Sequence, residues 1–141
     1  MSGYQDVIGV DVERILSQFL RSSSAVTNLV GQRVYSALPK ECEWPAVRLT
    51  RVGGGPVTVP PRLDLARIQI DVWGGTKAQA RIICATVLAV AVTDLPGVYD
   101  NGAAVVSAVR SNVSRYQPDT TFTPSRPRYL AELGIYSHPN S

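Results

Sequence analysis

The sequence has one histidine, His138, and two cysteines, Cys42 and Cys84, and each scarcity closes off a class of chemistry. His138 stands beside Pro139 near the end of the sequence, where chains are commonly mobile, so a positioned general base is not expected there. A Ser-His-Asp or Cys-His arrangement would have to be built on that residue alone. Cys42 lies among acidic residues in a loop and Cys84 in an apolar stretch, which is neither a disulfide framework nor a metal-ligand spacing. Two free thiols and no cofactor are expected. Long hydrophobic runs are also missing. The longest, Ile82 to Val92, contains Thr86 and stops at Thr93 and Asp94, well short of the ~20 residues of a membrane span. The opening Met-Ser-Gly-Tyr-Gln-Asp shows no basic patch leading into an apolar core. No secretory signal is read, no membrane partner is expected, and a cytoplasm-like site of synthesis is.

Runs of like charge are absent too. The net charge is +3, and twelve of the fourteen basic residues are arginines spread from Arg14 to Arg128, too dilute to imply nucleic-acid binding by themselves. The 141 residues, 45% hydrophobic, suit one globular domain spanning 1–141, with no internal repeat and no low-complexity tract.

From Val7 to Leu20 the apolar residues Ile8, Val12, Ile15, Leu16 and Phe19 recur at helical spacing, which predicts an amphipathic helix. After Ser22-Ser23-Ser24, Ala25 to Val30 predicts a short helical turn capped by Gly31, and Arg33-Val34-Tyr35 a short extended segment. Ala46 to Val52 alternates as a half-buried strand. Gly53 to Arg62 holds three Gly and three Pro, a composition that predicts a protruding loop. In Leu65 to Trp73, Ala66, Ile68, Ile70 and Val72 share one strand face while Arg67, Gln69 and Asp71 share the other. Thr76 with Gln79 reads as a capping box opening a helix to about Val92. Pro96-Gly97 and Asn101-Gly102 are turn signals before a strand near Ala104 to Val113. A second Pro-rich loop, Gln117 to Pro127, precedes a last strand, Tyr129 to Tyr136. The order α-β-β-β-α-β-β predicts an α+β fold: a mainly antiparallel sheet of about five strands with two main helices on one face.

Nothing in this order carries a catalytic set. Asp64 and Asp71 are seven apart, so a regular strand points them to opposite faces and they share neither metal nor proton. Glu41 and Glu43 sit in a Pro-bounded loop without a third ligand. Gly53-Gly54-Gly55 runs into Pro56-Val57 rather than the Gly-Lys-Ser/Thr of a phosphate loop, and Trp73-Gly74-Gly75-Thr76-Lys77 has the wrong residue order for one. What remains is arginine around the two long loops: Arg48, Arg51, Arg62 and Arg67 about the first, and Arg110, Arg115, Arg126 and Arg128 about the second. Such a face is either solvated or an interface, since arginine is enriched in protein contacts and also grips phosphate.

At Gly31-Gln32-Arg33-Val34-Tyr35-Ser36-Ala37-Leu38-Pro39, then Trp44-Pro45-Ala46-Val47-Arg48-Leu49, then Ala66-Arg67-Ile68-Gln69-Ile70-Asp71-Val72-Trp73, the sequence resembles the tail-terminator or tail-completion proteins of long-tailed bacteriophages. The resemblance spans nearly the whole chain and rests on order and spacing. It implies a structural virion protein without catalytic residues, made in the host cytoplasm. Such a protein forms a homo-oligomeric ring of six copies at the head-proximal end of the tail tube. Its implied partners are its own copies, the major tail tube protein and the head-tail connector, with DNA passing through the ring without sequence-specific binding. The contact residues expected on the loops and on the polar strand face are Arg51, Gly54, Pro56, Arg62, Arg67, Asp71, Arg126 and Arg128, with Arg67 and Asp71 pairing between neighbours. Alternatives are another connector or neck protein, a nucleic-acid module on the arginine-bearing face, and a small enzyme of ferredoxin-like type.

Overall fold

The computed structural model describes residues 11–57, 63–100, 103–110 and 114–139. The expected helix start at Val7, Arg62, the Asn101-Gly102 turn and the strand end at Val113 lie outside them.

The first helix among the described residues, α1 (Val12–Ser22), begins where the Asp11 side chain accepts from the Arg14 backbone N–H at 3.2 Å, satisfying one of the orphan donors of a helix start. Its apolar stripe buries Val12, Ile15, Leu16 and Leu20, each contributing roughly 1.5–3 kcal/mol by transfer from water. The short α2 (Ser24–Val30) ends at Gly31, whose φ of 60° is accessible to glycine at little cost, as the sequence predicts. Thr76 caps the next helix as predicted, with the return bond from Gln79 made to the Gly75 N–H instead of to that of Thr76. The Thr76 hydroxyl accepts from Gln79 N–H, and Gln79 Oε1 accepts from Gly75 N–H, opening α3 (Lys77–Asp94).

The strands are β1 (Val34–Tyr35), β2 (Ala46–Val57), β3 (Leu63–Trp73), β4 (Tyr99–Asp100), β5 (Ala103–Arg110), β6 (Arg115–Tyr116) and β7 (Arg128–Pro139). They form one sheet in the order β1-β2-β3-β7-β5-β4, with β6 attached to β7. All pairs are antiparallel except β1 with β2, so the sheet is mixed by that one short strand. The α+β class and the dominance of antiparallel pairing are as expected. The three two-residue strands, β1, β4 and β6, are too brief for periodicity to expose beyond the Val34-Tyr35 hint.

One expectation is corrected. Gly53 to Val57 is not loop: β2 continues through it, pairing Gly53 with Arg67 and Val57 with Leu63. A bulge between Arg51 and Gly53 resets the register, and Gly54 takes φ 89°. The glycines permit both distortions. Proline is tolerated because β2 is an edge strand along that stretch, where a missing N–H breaks no ladder. Composition alone points to irregular backbone, whereas the partner strand supplies the pairing that holds it extended.

The core lies between the sheet and the helices. Val47, Leu49, Ala66, Ile68, Ile70, Val72, Leu133 and Ile135 meet Leu16, Leu20, Ile83, Val87, Leu88 and Ala91, all buried. The helices occupy one sheet face, which leaves the other to polar strand residues and to loops.

Candidate functional site

The helix-free face is two-sided in character. At its Trp73 end it is roofed. Trp73 is buried, its ring 5.8 Å from that of Trp44, which meets Phe122 edge-on at 5.3 Å. Arg126 lays its guanidinium over Trp44 at 4.5 Å and over Phe122 at 5.6 Å, and its Nε is buried without a hydrogen-bond partner. The aromatic faces supply the attraction a carboxylate would otherwise give. On the other side, Arg48 stands 5.0 Å from the Trp73 ring centroid.

Asp119 ties this roof down. It accepts from the Trp73 indole N–H at 2.8 Å, from the Thr121 hydroxyl at 2.6 Å and from the Thr121 backbone N–H at 3.0 Å, while its own backbone bridges Arg126. Burial pushes the Asp119 carboxyl up. The bonds from Thr121 and Trp73 and the nearby Arg128 charge outweigh that and hold its pKa below the ordinary aspartate value. The second Pro-rich segment is therefore folded onto the sheet rather than projecting from it.

Away from the roof the face is open, and its charges are matched within the chain. Arg48 donates to Asp71 through Nη2 at 2.6 Å, and Gln69 donates to the same carboxylate at 2.9 Å. Arg67 donates to Glu132 at 2.8 Å across β3 and β7. The expected pairing of Arg67 and Asp71 between neighbours finds both already engaged inside one chain, and Asp71 has no exposed surface. Sequence alternation put Asp71 on the polar face correctly; it could not show that Arg48, 23 positions earlier, stands opposite it in the register.

Arg51 lies on the helix side, opposite Ile68. Its guanidinium bonds Asp64 at 3.0 and 3.3 Å and the Leu65 carbonyl, and its backbone N–H donates to Glu13 of α1 at 2.7 Å. Asp64 and Asp71 thus sit on opposite faces, as their spacing predicts. Arg51 pins the bulge from within, Gly54 and Pro56 lie on β2 just beyond it, and Arg128 donates to the Gln117 carbonyl and approaches Asp119 at 3.8 Å. The signals sequence reading passes over are Trp44, Trp73, Asp119 and Phe122. Only the rarity of tryptophan and a lone acid in an arginine-rich stretch could have marked them.

No group of three or more His, Cys, Asp or Glu is placed to hold a metal ion among the described residues. Both thiols have raised pKa values. For Cys84 burial is the cause, offset in part by the Ser114 hydroxyl and Arg110; for Cys42 burial and Glu43 outweigh Arg33 and Arg126. Neither is an activated nucleophile. A groove of about 370 Å³ runs along the polar side of α1, between Glu13, Arg14, Arg21 and Ser36. No helix among the described residues is long and apolar enough to cross a membrane.

Residues 14–129 match the model of the family described as tail completion protein gp17, and the chain belongs to that family, a structural protein of phage tails. A chain in a structure titled "Virion of native gene transfer agent (GTA) particle" superposes with a TM-score of 0.65 at 19% identity, covering 90% of this chain and 95% of that one. At that identity the likeness concerns the fold. A search of curated proteins finds no match.

Proposed function

We propose that this chain, acting as a single domain, forms a homo-oligomeric ring of six copies on the head-proximal end of a phage tail tube. There it ends tube growth and presents the surface met by the head-tail connector, within the virion. The observation that carries this reading is the family match across residues 14–129. The geometry agrees with it. A sheet face on which Arg48 and Arg67 are each paired with a carboxylate suits a ring through which DNA passes without sequence-specific binding, because these two cations are already neutralised within the chain. On this reading Gly54, Pro56, Arg62 and Arg126 are expected to meet neighbouring copies or the tube. The contact role expected of Arg51, Arg67, Asp71 and Arg128 is then to hold the shape of those surfaces.

The test is tube length. Tail tube protein polymerised with this chain present should give tubes with one blunt, capped end, and omission should give overlong tubes; equal lengths in both would contradict the proposal. The nucleic-acid reading has less support, since Arg48, Arg51, Arg67 and Arg128 are all engaged within the chain. A connector or neck protein of the same fold would bind the head-side partner and leave tube length unchanged.

A further inference from the structure

Two strands at opposite sides of the sheet keep part of their outer edges unpaired among the described residues. On β2, β1 covers only Val47 and Arg48, and Glu13 takes the Arg51 N–H; from Gly53 to Val57 the strand pairs only inward, with β3. On β5, β4 covers Ala103 and Ala104, and Val105 is bonded by Gly97 and Val98; from Val106 to Arg110 it pairs only inward, with β7. Each open stretch starts at a bulge, between Arg51 and Gly53 and between Val105 and Ser107. The residue extruded at each is a valine, Val52 at 47% and Val106 at 48% exposure, and Val109 follows on β5 at 56%. Three of the four exposed large hydrophobic residues among those described therefore lie on these two edges. Open edges are ordinarily guarded by lysine or proline, by inward-pointing charges or by bulges that twist the edge away. Here the bulges and the inward-turned Arg51 are such guards, but the valines extruded at the bulges and Val109 leave apolar surface along both edges.

The directions are complementary. Because β2, β3, β7 and β5 are successively antiparallel, β2 and β5 run opposite ways. A rotation about an axis along the strands therefore lays β5 of one copy antiparallel against β2 of the next. Val105 directs its N–H and C=O away from β7, so alternation through the bulge directs those of Ala108 and Arg110 outward too. The same count from Arg51 turns Gly54 and Pro56 outward on β2. Proline's missing N–H leaves three of the four bonds of such a two-pair ladder available.

We propose that copies of this chain join edge to edge, the Val106–Arg110 segment of β5 adding antiparallel to the Gly53–Val57 segment of β2 in the neighbour, with Val52, Val106 and Val109 covered at the seam. The proposal rests on the ring reading above and supplies its mode of closure. The contact is heterologous, since two different patches meet, and such contacts generate a ring when the rotation closes. The sheet then continues from subunit to subunit.

The test uses the full chain with Cys42→Ser, Cys84 being buried. Val52→Cys and Val109→Cys chains are assembled separately and as a mixture, with or without tail tube protein, and treated with a short thiol crosslinker after the ring mass is measured. Covalent dimers in the mixture and none from either variant alone are expected. Rings of full mass that give no mixed crosslink, or that crosslink within one variant, overturn the edge pairing and leave the ring reading intact; absence of any assembly overturns both. Val109→Lys, an exposed change, should abolish the ring with the monomer melt unaltered, and rings that persist in it also overturn the pairing.

Discussion

Asp71, with no exposed surface, takes both Nε and Nη2 of Arg48 on a single carboxylate oxygen, at 3.0 and 2.6 Å, on the sheet face that carries no helix. A fully desolvated carboxylate there depends on this one cation and on the Gln69 amide. Arg48 in turn is held by the Trp73 ring. The pair therefore links the open face to the aromatic roof.

Arg48→Ala should destabilise the chain by about 2–3 kcal/mol, because it strands a buried charge; the value lies below that of a wholly buried pair since Arg48 keeps a third of its side chain exposed. Arg67→Ala, whose pair with Glu132 is solvent-exposed on the arginine side, should cost under about 1 kcal/mol. Urea denaturation of both variants checks the ordering, and equal losses would contradict it.

Gly54→Ala should damage the hairpin more than Gly97→Ala. Both have positive φ, 89° and 93°, and pay roughly 1–2 kcal/mol for an L side chain there. A Cβ at Gly54 would lie 2.0 Å from the Leu65 carbonyl oxygen, whereas at Gly97 it meets nothing within 4 Å. Thermal melts of the two variants isolate the steric part, and a smaller effect at Gly54 would refute the register described.

The roof should loosen in acid. The folded pKa of Asp119 is depressed, so its stabilising contribution is complete above the unfolded value of about 3.9 and is lost as pH falls through the lower folded value. Trp44 and Trp73, in contact with each other and with the Asp119 segment, report it by fluorescence. An acid transition below about pH 4 that Asp119→Ala removes is expected.

Leu16→Ala, at the buried centre of the α1 stripe, should cost about 2–5 kcal/mol by loss of transfer energy and by the cavity left behind, read by urea midpoint.

How much of this was legible beforehand divides along physical lines. The Gly31 cap, the Thr76 N-cap and the alternation of β3 are local signals, written within a few residues of one another, and they are found where the sequence predicts them; α1 is found too, but it opens at the Asp11 cap inside the predicted Val7–Leu20 stretch. The continuation of β2 through Gly53–Val57 was not legible, because glycine and proline disfavour a strand locally and only pairing with Leu63–Arg67 overrides them. The roof was hidden for a related reason. Trp44, Trp73 and Asp119 come from three distant segments, and nothing periodic joins them. The partners of Arg48, Arg51 and Arg67 likewise follow from strand register, which alternation fixes only up to the choice of face.

The central claim, that this tail-completion family member works as a ring of its own copies, is tested most directly by its mass in solution over a range of concentrations, with and without polymerised tail tube protein. Six times the 15.2 kDa of the chain, free or once the tube is added, is the predicted result. A monomer that persists at all concentrations and ignores the tube would contradict it.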